Sequence, residues 1–138
     1  MQDLDQFLGD QACAERIRII VSAFEEKQGE RIVVVDMREA LGVIDAFIIV
    51  NGRNTPQVRA LVDESHDRLK AEAGDKPLRV EGLSDATWIL VDYGDLVLHV
   101  FNEATRDFFD LEHLWSQVPQ FEVPSSLPEE VSASAIAD

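Results

Sequence analysis

The chain has 138 residues, of which 46% are hydrophobic, and this is enough to bury the core of one domain. Twelve basic residues stand against twenty-seven acidic ones, so the net charge is −15. Such a charge repels phosphate backbones, so we expect little direct binding to nucleic acid and a preference for basic protein partners. Taken alone, the acidity is better explained as a means of keeping the protein in solution.

The cysteine content and the N-terminus indicate the compartment. Cys13 is the only cysteine and permits no internal disulfide; its helical setting predicts a core residue rather than a nucleophile. No apolar run is long enough to span a bilayer, and the N-terminus lacks the positive start of a signal peptide. We therefore expect a soluble, cytoplasmic protein that does not enter a membrane.

The first third of the chain predicts one helix and two buried strands. Residues 1–9 read as a lead-in without fixed structure, and Asp10 is the expected N-cap of a helix that ends at Gly29. Apolar residues recur at helical spacing between them and should pack on a sheet. Continuous apolar runs at residues 32–37 and 46–51 predict buried strands.

A turn at residues 52–54 leads into a second helix. Thr55 followed by Pro56 predicts the helix start, with a capping hydroxyl and proline in the first turn, and Gly74 follows the expected end at Ala73. A glycine turn before a helix N-terminus can hold an anion. The letters GRN-TP match neither a P-loop nor GxGxxG, so a plain strand-to-helix connection is favoured.

Residues 88–101 form the longest apolar segment and predict a hairpin. A short strand at residues 78–81 precedes it. Strands at residues 88–91 and 96–101 should be joined by a tight turn at residues 92–95, because Gly94 can adopt a positive φ. Apolar residues fill both faces of the two strands, which places the hairpin near the middle of the sheet. Polar residues there need a reason, so Asp92, Asp95 and His99 are functional candidates.

The final segment predicts a helix and then a tail. The helix should start within residues 102–106, with Phe108, Leu111, Leu114 and Trp115 along one side. The Phe108-Phe109 pair and Trp115 are expected to be core residues rather than ligand contacts. After residue 118 prolines and serines increase, and no Lys or Arg follows Arg106. This predicts a domain at residues 1–118 and a flexible acidic tail at residues 119–138. The element order predicts an α/β (α+β) fold with a single mixed sheet flanked by helices.

One group of polar residues resembles a metal or acid–base site, and it consists of Asp92, Asp95, His99 and Glu103. Strand alternation weakens it, because His99 shares a face with residues 97 and 101 and need not point at Asp95. The chain has no HExxH, no cysteine ligand set and no Ser/His/Asp arrangement. We predict no enzyme, no metal and no cofactor. The alternative is a metal-dependent nucleotidyltransferase or phosphohydrolase that uses Asp92, Asp95 and His99.

Several stretches resemble one known family. Downstream, VEG is followed by WILVDYGDLVLHVF and then by E-x-x-R-x-F-F-x-L-E-x-L-W; upstream stand IVVVDMRE, IDAFIIVNGRN and QVRALVDE. These motifs resemble the Iojap-like ribosomal silencing factors and cover residues 17–115. The run DYGD-x-x-x-H-x-F with the trailing LE-x-LW is specific, because neither part is a generic nucleotide or metal motif.

The resemblance implies a fold, a partner and a mechanism. It implies a five-stranded mixed sheet of nucleotidyltransferase-like topology and a homodimer. Members of the family bind the large-subunit ribosomal protein numbered fourteen, where the small subunit must dock. The bound domain would block association of the two subunits and repress translation when nutrients are scarce.

The resemblance also implies where the contact lies. From the residues alone, Trp88 is expected in the core and Tyr93 on the surface; the resemblance moves both towards the interface. Arg106 would orient the acidic side chains. The expected partner-binding residues are Trp88, Asp92, Tyr93, Asp95, His99, Glu103 and Arg106.

Overall fold

Residues 2–125 are described by a computed structural model and form one mixed sheet with helices on both sides. The helices are α1 (Leu4–Leu8), α2 (Ala14–Glu26), α3 (Arg38–Leu41), α4 (Thr55–Ala73), α5 (Glu103–Phe109) and α6 (Leu111–Leu114). The strands are β1 (Glu30–Asp36), β2 (Ala46–Gly52), β3 (Arg79–Glu81), β4 (Trp88–Asp92), β5 (Leu96–Asn102) and β6 (Gln120–Glu122). The predicted fold class is confirmed.

The sheet has the strand order β3-β4-β5-β2-β1-β6. Strands β2 and β5 pair in parallel at its centre, from Ala46 opposite Leu96 to Gly52 opposite Asn102. The other neighbours are antiparallel, including the β4–β5 hairpin. The hairpin therefore lies inside the sheet, as its two apolar faces predicted, and β3 forms the edge beside it.

The sheet has six strands rather than the five that the sequence predicted. The additional strand, β6, pairs antiparallel with β1, and its central residue Phe121 is buried. Val123 N donates to Ile32 O at 2.8 Å just beyond it. The predicted domain boundary after residue 118 is therefore wrong, since the domain extends at least to Val123. The strand was missed because three residues are too few to show a periodicity. The remaining predicted tail, residues 126–138, lies outside the described part of the chain.

The two faces of the sheet differ in their cover. On one face α2 and α4 pack over β-strand residues such as Ile48, Val50 and Leu98, and this is the larger core. The second face is the side that carries Trp88, Leu90 and Asp92 of β4; a smaller apolar cluster lies on it. These β4 residues are half-buried, whereas Ile89 and Val91 on the helix-covered side are buried.

The N-terminus is ordered, contrary to the expected lead-in. Helix α1 begins with a reciprocal capping box, in which Gln6 N donates to Asp3 Oδ1 and Asp3 N donates to Gln6 Oε1, each at 2.8 Å. Leu8 is buried in the core and fixes the helix. The prediction that Asp10 caps the first long helix is also wrong, because α2 begins at Ala14 without a side-chain cap.

Helix α4 spans the predicted residues, but a different residue caps it. Asn54 Oδ1 accepts a hydrogen bond from Gln57 N at 2.9 Å, and Asn54 has the extended backbone of an N-cap. The hydroxyl of Thr55 was the predicted cap, whereas Thr55 is the first helical residue. The predicted end is confirmed, since Gly74 follows Ala73 with a φ of 64°.

The aromatic residues of the last helices lie partly outside the core. Phe108 is 81% exposed and Phe109 is 47% exposed, so the prediction that this pair lies in the core is wrong. Leu111 and Trp115 do pack against the second face, with the Trp115 ring 6.2 Å from that of Phe47. A break at Asp110, whose φ is 49°, separates α5 from α6 and turns their side chains apart. Among residues 2–125, no helix combines the length and hydrophobicity needed to cross a membrane.

Candidate functional site

The β4–β5 turn forms as predicted. Gly94 has a φ of 94°, which an L-residue rarely adopts. Asp92 Oδ1 accepts a hydrogen bond from Gly94 N at 2.7 Å, and Tyr93 N donates to Leu96 O at 2.8 Å. The aspartate therefore shapes the turn through its side chain, as Asp residues do in many tight turns.

Trp88 is held on the second face by three aromatic neighbours. Its Nε1 donates to His99 Nδ1 at 3.1 Å, and its ring stacks on Phe101 at 4.9 Å between centroids. Phe109 of α5 contacts it from another side at 4.8 Å. Trp88 remains half-buried, so its indole is fixed by contacts from within the protein while part of its surface faces outward.

His99 is a neutral residue beneath Trp88. It is 5% exposed and its ring lies 4.7 Å from the Phe47 ring. Burial lowers the pKa of His99 to about 4, and the Trp88 hydrogen bond needs an unprotonated Nδ1. The second nitrogen, Nε2, therefore carries the hydrogen, and it has no partner among the described residues. His99 orients the tryptophan and is not poised for proton transfer near neutral pH.

Asp92 and Asp95 have different surroundings, although both flank the same turn. Asp92 is on the second face, where Arg79 Nε approaches its Oδ2 at 3.2 Å from the neighbouring strand. Asp95 instead binds Arg16 of α2 with both carboxylate oxygens, and Arg16 also binds Asp75 at 3.0 Å. The Arg16 guanidinium lowers the pKa of Asp95. The carboxylate of Asp95 is thus used to hold the turn against α2.

Tyr93 is buried, so its predicted surface position is wrong. Strand alternation places Tyr93 on the same side as Ile89 and Val91, in the helix-covered core. Burial raises the pKa of Tyr93 to about 12, and its hydroxyl has no hydrogen-bond partner among residues 2–125. A partner that lies on the second face would not reach its ring.

Arg106 lies beneath α5 and does not orient the predicted acidic residues. It is 1% exposed; its Nη1 donates to Asn51 Oδ1 at 2.9 Å, and its Nη2 lies 3.4 Å from Glu112. Burial lowers the pKa of Arg106. The acidic partner of Arg106 is therefore Glu112, not Asp92, Asp95 or Glu103, which is the exposed first residue of α5. Arg106 therefore fastens α5 and α6 to the sheet.

The predicted metal or acid–base group is not assembled. Asp92 and Asp95 bind different arginines, and His99 binds Trp88. No three His, Cys, Asp or Glu side chains within residues 2–125 are grouped so that they could hold a metal ion. No observation therefore favours the nucleotidyltransferase or phosphohydrolase alternative.

A cleft of about 480 Å³ opens where β2 and β5 lead into their helices. Its residues include Arg53, Asn54, Glu103 and Asp107. Asn54 uses its side chain to cap α4, and Arg53 is paired with Glu30 at 3.1 Å. Two carboxylates at the opening oppose an anion, which agrees with a plain strand-to-helix connection as the favoured interpretation of GRN-TP.

Sequence reasoning missed several residues that build this site, namely Arg16, Phe47, Arg79 and Phe109. Arg16 and Asp95 are 79 positions apart, so no local pattern links them. Arg79 could have been found from the strand pairing. When β3 and β4 pair antiparallel, Arg79 lies opposite Asp92, and opposite charges at such positions attract each other.

Comparisons with known proteins identify one family to which the chain is similar. A family model described as "Ribosomal silencing factor during starvation" matches residues 10–138. A ribosomal silencing factor of Bacillus subtilis is 37% identical over 103 residues, which cover 75% of this chain and 86% of that protein. The crystal structure of a protein from Chromobacterium violaceum is similar with a TM-score of 0.72 at 34% identity, covering 86% of this chain and 98% of the other.

A more distant relative is a mouse protein named for mitochondrial assembly of the ribosomal large subunit. It is 28% identical over 103 residues, which cover 72% of this chain and 45% of the mouse protein. The family model includes every residue of the candidate site described above.

Proposed function

The chain belongs to the family of ribosomal silencing factors, and from this premise we propose that it binds the large ribosomal subunit and keeps the small subunit from joining it. The contact is with the ribosomal protein numbered fourteen. The bound domain acts as a steric block and represses translation when nutrients are scarce. No reaction and no cofactor take part in this mechanism.

The observation that carries the proposal is the half-buried Trp88 on the second face. Its indole is held by His99 and by the Phe101 stack, so little side-chain entropy is lost when a partner covers it. Tryptophan is among the residues most enriched at the energetic centre of protein interfaces. A large aromatic side chain that is ordered but not covered suits an anchor for a protein partner.

Charge supports a basic protein as the partner. The chain carries a net charge of −15, and ribosomal proteins that contact RNA use basic side chains to neutralise its phosphates. On the second face Asp92 is half-buried, and within residues 2–125 its one ion-pair partner is Arg79 on the edge strand. An incoming Lys or Arg could share this carboxylate, which favours fast, salt-dependent association.

The proposed contact residues are not equivalent. Trp88 and Asp92 are available on the second face, with His99 as the residue that positions Trp88, and Glu103 is exposed at the start of α5. Tyr93 and Arg106 are buried and support the site from within the protein. Asp95, whose side chain is 38% exposed, supports it by holding the β4–β5 turn against α2 through Arg16. The mouse relative, which is named for assembly of the large subunit, adds support for the large subunit as the binding partner.

The test is a subunit-joining experiment with purified ribosomal subunits on a density gradient. Incubating the large subunit with the protein first should lower the fraction of joined ribosomes in proportion to the protein bound. If the small subunit is incubated with the protein and unbound protein is then removed, the fraction of joined ribosomes should stay unchanged. Normal joining by protein-saturated large subunits would refute the steric mechanism.

We also propose that the protein acts in the cytoplasm, and that it forms a homodimer, which the family resemblance implies. Sedimentation velocity over a wide range of concentrations tests the second statement. A single monomeric species throughout the range would exclude the homodimer.

A further inference from the structure

Three aromatic rings form a continuous ridge that runs from the sheet onto α5. Phe108 contacts Phe109 with 5.0 Å between ring centroids, and Phe109 contacts Trp88 at 4.8 Å. We call these three residues the aromatic ridge. Phe108, at its outer end, is 81% exposed. One exposed apolar residue needs no explanation, but a connected set of exposed rings marks an interaction surface.

The ridge is surrounded by acidic side chains. The acidic residues Glu103 and Asp107 lie in α5, Glu112 lies in α6, and Asp110 lies between the two helices. Arg106, the single Lys or Arg of this segment, is buried beneath them. Within the described chain, Glu103 and Asp110 form no ion pair, and both are exposed. Asp107 and Glu112 are turned to Arg31 and Arg106. The outward surface of this segment is therefore apolar at its centre and negative at its rim.

We propose that the aromatic ridge, together with Glu103 and Asp110, is a docking surface for a Lys/Arg-rich segment of a protein. The inference rests on the proposed function, because it takes the partner from among the basic proteins of the large subunit. It extends the contact along α5 to Phe108, Phe109 and Asp110, which lie outside the site expected from the sequence, whereas Trp88 and Glu103 already belong to that site.

The chemistry of the ridge fits such a segment. Aromatic faces attract the cationic groups of Lys and Arg, and the aliphatic stems of these side chains cover apolar surface. The two unpaired carboxylates can then receive the charged ends. The stack of Trp88 on Phe101 fixes the inner end of the ridge before the partner arrives, which lowers the entropic cost of binding.

Other occupants fit less well. A nucleic acid would bring phosphates against Glu103 and Asp110, and the rest of the chain adds further repulsion with its charge of −15. A second copy related by a two-fold axis would place the same acidic rim against itself, because such an interface uses the same patch on both subunits. Like charges brought together in this way oppose association.

The ridge and Asp92 are separate parts of the proposed contact. Trp88 and Asp92 occupy the two ends of β4, four residues apart, which corresponds to about 13 Å along the strand. The ridge continues from Trp88 towards α5, away from the β4–β5 turn. A substitution at Phe108 can therefore weaken binding without disturbing Asp92 or the turn.

The first experiment compares Phe108→Ala with Val43→Ala in binding to isolated large subunits. Val43 is the matched control, since it is 82% exposed and precedes β2, at the end of the central strands opposite α5. Phe108→Ala should weaken binding at least about fivefold, whereas Val43→Ala should stay within about twofold of the parent. Both variants should melt within a few degrees of the parent, because both side chains are already exposed.

The second experiment removes the acidic rim. The pair Glu103→Gln and Asp110→Asn should slow association at low salt and reduce its salt dependence. The control removes the same charge from α4, with Asp63→Asn and Glu72→Gln; both control residues are exposed and lie on the helix that covers the other face. The control pair should change the association rate less than the pair at Glu103 and Asp110 does.

The outcomes separate this inference from the proposed function. If the parent does not bind large subunits, both are wrong. If the parent binds and Phe108→Ala binds equally well, the ridge is not a docking surface and the proposed function stands. If Phe108→Ala instead lowers the mass of a dimer with unchanged subunit binding, a second copy covers the ridge and the inference is overturned. Tighter binding after loss of Glu103 and Asp110 would indicate RNA as the neighbour, which also overturns it.

Discussion

Arg16 of α2 binds both carboxylate oxygens of Asp95 at the β4–β5 turn and thereby joins the first long helix to the candidate site. The same guanidinium binds Asp75, which lies between α4 and β3. One arginine thus holds three parts of the chain together. Asp95 contributes to the architecture of the turn through this ion pair, whereas Asp92 lies on the second face, where the proposed partner binds.

The first prediction separates these two aspartates. Asp95→Asn should lower the free energy of unfolding by about 1 kcal/mol, a discounted value because the Asp95 side chain is 38% exposed. Asp92→Asn should cost less stability and should weaken binding to the large subunit at low salt. Urea unfolding and a binding titration of each variant give the comparison. Equal binding losses with unchanged stability for both variants would show that Asp95 also contacts the partner.

The Asp95 ion pair also predicts an acid dependence. Arg16 lowers the pKa of Asp95 in the folded state, so this contribution to stability is present above the unfolded pKa of about 3.9. It is lost as the pH falls through the folded pKa. The stability difference between parent and Asp95→Asn should therefore shrink below about pH 4. Asp5→Asn, which removes an exposed carboxylate paired with Arg18, serves as the control and should change the free energy of unfolding little.

The second prediction concerns His99 between pH 4 and 6.5. The pKa of His99 is about 4 in the folded protein, against about 6.5 in the unfolded chain. Between these values the unfolded chain binds a proton that the folded protein does not, so the free energy of unfolding falls as the pH falls. From pH 7 to pH 5 this amounts to about 2 kcal/mol. Urea unfolding at the two pH values should show the loss in the parent.

Two variants test whether His99 is responsible. In His99→Phe no proton can bind at this position. The loss in the free energy of unfolding between pH 7 and pH 5 should therefore be smaller than in the parent, whatever the absolute stability of the variant. His113 is exposed, and His113→Gln should retain the parent's difference. An unchanged difference in His99→Phe would assign the acid sensitivity to other groups.

The third prediction is about β6. Truncation after Val118 removes the strand that pairs with β1 together with the buried Phe121 ring, so it should lower the melting temperature by several degrees. Truncation after Ser125 keeps the strand and is the matched control. Equal melting temperatures for the two truncated proteins would mean that β6 adds nothing to stability, as the composition of the tail had suggested.

The sequence predicted those elements whose signal is local. The apolar runs of β1, β2, β4 and β5, the helix stop at Gly74 and the turn at Gly94 all follow from periodicity or from backbone freedom within a few residues. Strand β6 was missed because three residues between prolines show no periodicity. The capping box of α1 is visible in the letters DLDQ, but a helix of five residues gains its stability from Leu8 in the core.

The candidate site depended on relationships between distant residues. Asp95 was expected to face a partner, and nothing near it in the sequence points to Arg16. Phe108 was expected in the core, since a pair of phenylalanines in a helix is usually buried, and the break at Asp110 could not be foreseen. Tyr93 is different, because strand alternation from Ile89 already implied its burial.

The fourth prediction compares two substitutions at Trp88. Trp88→Phe should keep the contact with Phe101 and lose the hydrogen bond to His99, at a cost of about 1 to 3 kcal/mol since His99 Nδ1 is left unpaired. Trp88→Ala should cost less than the ~3–5 kcal/mol of a fully buried tryptophan and should still unfold cooperatively. Thermal melts of both variants test this. An Ala variant without a cooperative transition would make Trp88 a core residue and remove it from the contact surface.

The most direct test of the account is the affinity of the purified protein for purified ribosomal protein fourteen, measured for the parent and two variants. The account predicts a specific complex that Trp88→Ala weakens at least about thirtyfold, as expected for an anchor at the centre of an interface. Val43→Ala, at an exposed site in the loop before β2, should leave the affinity unchanged. No complex with the parent, or equal affinity of the parent and a folded Trp88→Ala variant, would contradict the proposal that the second face binds this protein.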